Sequence, residues 1–375
     1  MVIMKQWAIA LCCCAGFWGC SQGTATWDIP CNARALAVSA ADQVWYAGSD
    51  GCVGEFQGGR WHHANIVPPS DLTPLADSTF QLAFRSLALR DDGSALVLGI
   101  TSPALLYTVD GLAGSADASS AVQTKLVHRC DAPSAFFDAM VNLGDGRLVA
   151  MGDPIDSCLA VLTSSDHGAS WQRVDCSNMP NAQPGEAAFA ASNTNLCAMG
   201  DTVWMVSGGG ASRVFRSLDA GTTWSVFNTP LVQGGTMTGA FTMDFANSKT
   251  GIIWGGDWED MPRNSGRAAI THDGGATWEL LAEGTGPGYF SCVQHRPGSG
   301  GREWAGVCAG SHPSAGLHRS LDGGHSWTRV DNGSGGGSSE LSDSLLSSAF
   351  YTCRFSPNGE RLWLAGRRKV AVLNW

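Results

Sequence analysis

The sequence predicts an all-β fold assembled from repeated four-stranded modules, and three observations predict it. A turn motif, S/T-x-D-x-G-x-x-W, occurs four times, with its Asp at positions 166, 219, 273 and 322 and steps of 53, 54 and 49 residues. An aromatic residue recurs at similar steps (Phe84, Phe136, Phe189, Phe241, Phe290, Phe350), as does a tryptophan further along each unit (Trp45, Trp204, Trp254, Trp304, Trp363). The 375 residues include 48 Gly and 15 Trp but only 15% charged residues, a composition suited to short strands and tight turns.

The elements follow in order along each unit. The aromatic opens a first strand, and a turn such as Asp91-Asp92-Gly93, Gly144-Asp145-Gly146 or Pro357-Asn358-Gly359 ends it. The tryptophan lies on a second strand; a loop, a third strand, the turn motif and a fourth strand complete the unit. Four strands every ~50 residues describe a β-propeller blade. Units begin near Ala33, Phe84, Phe136, Glu186, Gly239, Tyr289 and Ala349, so seven blades are expected. The last unit lacks a fourth strand, which Thr24–Ile29 would supply, with Trp27 where a motif tryptophan would fall. The N-terminal strand would then close the ring and remove two exposed sheet edges. The Gly/Ser-rich insertion Ser334–Ser348 reads as a loop, so residues 24–375 are expected to form one seven-bladed domain.

Within the turn motif the residue types point to scaffold. The carboxylate can accept backbone N–H groups inside a tight turn, and glycine permits a positive φ. The hydroxyl adds a local hydrogen bond and tryptophan covers the turn. Asp166 with Trp171, Asp219 with Trp224, Asp273 with Trp278 and Asp322 with Trp327 are therefore read as structural pairs.

The chain opens with a targeting segment, residues 1–20. Lys5 precedes an uncharged, mostly apolar run, Trp7–Gly19, too short for a bilayer that takes about 20 residues to span. The run ends Gly19-Cys20-Ser21, which resembles a bacterial lipoprotein cleavage box. That resemblance implies export with a lipid on Cys20, in the periplasm or at the outer membrane; plain secretion to the outside is the alternative. Nine cysteines follow Cys20, a number that suits an oxidising compartment. Symmetry about turns suggests the pairs Cys31–Cys52, Cys158–Cys176 and Cys292–Cys308, against the alternative of buried free thiols.

A net charge of −10 argues against a nucleic-acid partner, because phosphate neutralisation needs a basic surface. No ligand spacing for a metal is present, His62-His63 reads as surface, and no cofactor is expected.

In a propeller, the first-strand starts and the loops between second and third strands share the face opposite the turn motifs. That face here carries Arg34, Arg85, Asp138, Glu186, Tyr289 and Tyr351, with Asp153, Asp156, Arg213, Asp257, Trp258, Arg267 and His312 from the loops. Arg34, Asp138, Asp153, Asp156, Asp257 and Trp258 are the candidate ligand contacts. Trp258 among carboxylates suits a sugar or a peptide.

The four motifs resemble the Asp-box, or bacterial neuraminidase repeat, of sialidases, sortilin-type domains and the photosystem II stability/assembly factor group. Phe84-Arg85-Ser86-Leu87 is similar to the first-arginine motif of sialidases, and Glu186, Arg213, Arg267 and Tyr289 follow in that family's order. The resemblance implies that Arg85, Arg213 and Arg267 grip a substrate carboxylate while Glu186 activates Tyr289 as the nucleophile. The family's acid is missing: Gly99–Ala104 holds no carboxylate, so Asp153 or Asp156 would have to serve. Sialidases also have six blades. Over nearly the whole mature chain, Ala135–Met140, Met151–Asp156 and Pro184–Ala190 resemble the exported propellers related to photosystem II assembly factors. That likeness implies a monomeric binding or assembly scaffold for a protein or glycan partner on the axial face. An exo-sialidase-like glycoside hydrolase is the alternative.

Overall fold

The computed structural model describes residues 24–39, 43–72, 80–112, 122–312, 315–330 and 349–375. The expected targeting segment, Cys20 and the Ser334–Ser348 insertion lie outside the described residues. The chain is an all-β propeller, and its strands are antiparallel throughout. They form six sheets, four of four strands and two of six.

This count corrects the expected seven-bladed ring, and the N-terminal strand is the reason. Ala25–Val38 runs for 14 residues and pairs along one side with Arg361–Asn374, with Trp27 opposite Val370 and Asn32 opposite Arg367. Along the other side it pairs with Val44–Gly48, from Ala33 opposite Gly48 to Val38 opposite Val44. The first and last predicted units are thereby one six-stranded sheet, in the order Phe350–Phe355, Arg361–Asn374, Ala25–Val38, Val44–Gly48, Cys52–Gln57, Arg60–Asn65. The strand expected to close a seven-membered ring is an interior strand of that sheet.

A second departure involves Glu186. It opens no first strand but lies in the short strand Glu186–Ala187, paired with Gly208–Gly209 and through it with Thr238–Phe245. The unit's own inner strand is Leu196–Met199.

Apolar residues from facing sheets fill the space between them. Trp45, Trp204, Trp254, Trp304 and Trp363, the recurrent second-strand tryptophans, are all at most 2% exposed. Burying an aromatic of this size is worth a few kcal/mol.

The turn motifs repeat the same bonds four times. In the first, Gly168 N–H donates to Ser164 Oγ at 2.9 Å and Ser170 N–H to Asp166 Oδ1 at 2.9 Å. Ser170 Oγ donates to Asp166 Oδ2 at 2.6 Å, and Trp171 Nε1 to the Gly168 carbonyl at 3.1 Å. The corresponding bonds recur around Asp219, Asp273 and Asp322. Trp224, Trp278 and Trp327 cap their turns as Trp171 does. Gly168, Gly221, Gly275 and Gly324 sit at φ of 79–94°, a region that favours glycine. Each also presses on the preceding sheet: a Cβ at Gly168 would lie 2.6 Å from Leu96 Cδ1, and one at Gly324 2.7 Å from Ile252 Cδ1.

Two disulfides match the turn-symmetry reading, Cys31–Cys52 and Cys158–Cys176. Cys292–Cys308 is not formed. Cys292 stands opposite Val307, so Cys308 is one residue out of register and projects from the other face of its strand.

Candidate binding site

The first strands converge so that Arg34 and Arg85 lie side by side at one end of the axis. Both line a pocket of about 360 Å³ whose wall includes Asp153, Phe189, Phe241, Trp258 and Tyr289. Both also line a smaller recess of about 170 Å³ with Asn32, Ser49 and Tyr351. Arg34 Nη1 donates to the Ala191 carbonyl at 3.3 Å, and its guanidinium lies 3.9 Å over the Tyr351 ring. Arg85 Nη1 donates to the Ala190 carbonyl at 3.2 Å. Among the described residues neither guanidinium forms an ion pair with a carboxylate. Burial, and secondarily Arg34, bring Arg85 down to about 10, so it stays cationic at neutral pH.

Two carboxyls lie close to this charge, and burial raises both of them. Asp138 is fully buried, with neither oxygen hydrogen-bonded among the described residues. Burial, and then Asp153, push it well above the usual carboxylate range, with Arg85 opposing. Asp153 accepts the Ala188 N–H at 2.7 Å, but burial outweighs that bond and raises it to about 6.

The pocket's other wall is aromatic. Phe189 and Phe241 stack with centroids 3.9 Å apart, and Tyr289 meets Phe241 edge-on at 4.8 Å. Trp258, 47% exposed, stands at the mouth and donates its backbone N–H to the Met237 carbonyl at 3.0 Å. That backbone bond ties the Asp257–Asp260 loop to the segment before Thr238–Phe245, and Asp260 N–H donates to the Asp257 carbonyl at 3.2 Å to tighten it.

The remaining sequence-derived candidates lie elsewhere. Glu186 and Arg213 face one another in a buried pair, Nη2 to Oε2 at 2.5 Å and Nε to Oε1 at 2.9 Å. Ser207 Oγ and the Gln183 N–H complete the shell around Glu186. Arg267 is fully buried and donates to the carbonyls of Pro287, Asn264, Ala282 and Thr285, with Trp254 beneath its guanidinium at 5.1 Å. Asp156 is exposed at a hairpin tip and pairs with Arg173 at 2.9 Å, and Asp257 accepts the Glu259 N–H at 2.9 Å. Of the five residues drawn from the sialidase resemblance, only Arg85 and Tyr289 line the pocket. Burial also raises the Tyr289 phenol well above its ordinary value, which disfavours a phenolate.

Sequence reasoning missed the pocket's backbone wall, Ala187–Ala191, whose carbonyls position both arginines. A run of small residues around Phe189 was the available signal, since only short side chains let a guanidinium reach the main chain. A larger cavity, about 770 Å³, lies at the far ends of the first strands. Its polar groups are hydrogen-bonded within the wall: Arg354 donates to the Asn193 carbonyl, Asp244 accepts the His295 N–H, and Arg90 pairs with Asp92. Among the described residues no group of three or more His, Cys, Asp or Glu side chains is placed to hold a metal.

No family model matches the chain, and no curated protein matches it. Solved structures do match, at the level of fold. YCF48 bound to D1 peptide aligns with a TM-score of 0.61 at 16% identity, over 94% of this chain and 97% of that one. A virginiamycin B lyase from Staphylococcus aureus with quinupristin aligns with a TM-score of 0.61 at 10% identity, over 94% and 99%. The GH74 xyloglucanase from Xanthomonas campestris aligns with a TM-score of 0.59 at 12% identity, over 94% of this chain but 54% of the enzyme. At these identities the likeness shows a β-propeller, a fold on which both binding proteins and glycoside hydrolases are built.

Proposed function

We propose that the protein is an exported binding propeller, held at a membrane through a lipid on Cys20, whose axial pocket takes a protein or glycan partner. The observation that carries this reading is a combination at one mouth: two guanidiniums without a carboxylate partner among the described residues, and a half-exposed indole. Such a surface suits a ligand with an anionic or carbonyl-rich group beside an apolar or sugar face. The similarly folded YCF48, solved with a D1 peptide, and the xyloglucanase support it. The two disulfides are consistent with export. No helix among the described residues is long and apolar enough to cross a membrane. The protein acts as a monomer, touches membrane only through its anchor, and binds no nucleic acid.

The exo-sialidase reading has less support, because Glu186 is engaged with Arg213 and not with Tyr289. Turnover of a fluorogenic sialoside, abolished by Tyr289→Phe, would reinstate it.

The test is to probe peptide and glycan arrays with the mature protein. Hits should weaken at least about tenfold in Arg85→Ala and in Trp258→Ala, and Trp258→Ala should melt like the wild type. Hits unaffected by both substitutions would place binding elsewhere. Labelling with a radioactive fatty acid should disappear in Cys20→Ser if the anchor is present.

A further inference from the structure

Two thiols that the turn symmetry left apart meet across a sheet boundary. Cys292 opens the strand Cys292–His295, and Cys353 lies in Phe350–Phe355, an edge strand of the six-stranded sheet that holds the N-terminal strand. Their Sγ atoms are 3.6 Å apart, and both side chains are fully buried. The Cys353 N–H points at Cys292 Sγ from 3.4 Å, and Arg354 Nη1 lies 3.8 Å from the same sulfur. Three other free cysteines have different surroundings: Cys197 rests on Met243 Sδ at 3.3 Å, Cys308 on His312 Nε2 at 3.3 Å, and Cys130 is only partly buried.

We propose that Cys292 and Cys353 are joined by a third disulfide in the native protein, stapling the inner strands of two neighbouring sheets. Two disulfides already in the chain imply folding under oxidising conditions. The sulfurs stand 3.6 Å apart and a disulfide is about 2.05 Å long, so they need to approach by roughly 1.5 Å.

The chemistry is thiol–disulfide exchange with a low-molecular-weight disulfide as the oxidant. The Cys292 thiolate attacks one sulfur of the oxidant, which breaks its S–S bond, forms a mixed disulfide and releases one thiolate. The Cys353 thiolate then attacks the Cys292 sulfur and expels the second thiolate. Two protein thiols are oxidised, one disulfide is reduced to two thiols, and the two protons end on those thiols. Because both sulfurs are sealed from solvent in the folded chain, the exchange takes place while the two sheets are still closing.

The experiment uses the full chain refolded in a glutathione redox buffer, then denatured and alkylated without reductant before proteolysis and mass spectrometry. The expected result is a linked peptide pair containing Cys292 and Cys353, with Cys130, Cys197 and Cys308 alkylated. Recovery of Cys292 and Cys353 as separate alkylated peptides overturns the proposal, as does a linked pair joining either to another cysteine. A second readout does not depend on mapping. Cys353→Ser should lower the melting temperature relative to wild type in non-reducing buffer. The gap should narrow once both proteins are unfolded and refolded with excess reductant. An unchanged gap would mean that the substitution acts through packing and that no bond exists.

Discussion

The indoles of Trp27 and Trp363 lie stacked, with centroids 5.8 Å apart and planes inclined by 15°, though they come from opposite ends of the described chain. Phe56 and Trp61 close around Trp27 at 5.2 and 6.2 Å, so a single aromatic cluster spans four strands of the six-stranded sheet. Trp27→Ala should therefore destabilise the protein by about 2–4 kcal/mol, somewhat below the range for a fully buried aromatic because Trp27 is only partly buried. Urea unfolding followed by tryptophan fluorescence measures it. A loss under ~0.5 kcal/mol would mean that the pairing with Arg361–Asn374 holds without the ring.

The pocket carboxyls give a pH dependence with a defined sign. Folded, Asp153 keeps its proton up to about 6, whereas an unfolded chain releases it near ~4. The folded state binds more protons in that window, so this group's contribution to stability falls as pH rises from ~4 to about 6 and stays lowered above it. Asp138 acts in the same direction and over a wider range, since its carboxyl is held well above the usual value. The turn aspartates act oppositely. Hydrogen bonds from the Thr277 hydroxyl and N–H hold Asp273 down to about 2, and its contribution is lost only as pH falls through the acid range. Asp138→Asn should thus gain stability over wild type as pH rises from 5 to 8. Urea midpoints at the two pH values test this, and a constant difference would mean that Asp138 is ionised in the folded state.

Much of the fold was legible because its determinants are local. The bonds that shape the turn around Asp166 fall within the eight residues of the motif, and the His167 N–H adds one outside it, to the Gly146 carbonyl at 2.8 Å. Trp45, Trp204, Trp254, Trp304 and Trp363 were legible for a related reason, since strand periodicity fixes which face they take. The number of sheets was not. It depends on Ala25–Val38 running as one unbroken strand that joins the first and last expected units, and on Glu186–Ala187 joining a neighbour's sheet, neither of which spacing along the chain can encode. The arginines were hard to read for a chemical reason. Arg267 resembles an anion ligand in sequence, yet backbone carbonyls satisfy it, and carbonyls carry no residue signature. Cys292 was misassigned by a single step of register, enough to turn Cys308 to the opposite face.

Breaking the Glu186–Arg213 pair one side at a time should be costly, because the survivor is a charge with side-chain exposure of 8% or less. Arg213→Met alone should destabilise by about 3–5 kcal/mol, and adding Glu186→Gln should restore much of that. Chemical denaturation of the two single variants and the double variant completes the cycle. Additive losses would show that the two side chains do not interact energetically.

Gly168→Ala combines a φ of 79° with a methyl 2.6 Å from Leu96 Cδ1 and should cost about 2–3 kcal/mol. Gly58→Ala, at a φ of 62° with nothing within 4 Å of the added carbon, is the control for backbone strain alone and should cost about 1 kcal/mol. Equal losses in thermal melts would remove the steric part of the argument.

That glycine contact is one of a set: a Cβ added at Gly221 would lie 3.0 Å from Val149 Cγ2, one at Gly275 3.3 Å from Trp204 Cδ1, and one at Gly324 2.7 Å from Ile252 Cδ1. Each turn carries its own hydrogen bonds, but its seat is cut to the shape of one residue next door. A hairpin transplanted from one position to another would keep its internal bonding and still fit badly. Duplicating or deleting a module would disturb two seams at once. Drift in any of these apolar partners is therefore constrained by a turn to which it is not bonded, so the repeats can diverge only in matched pairs.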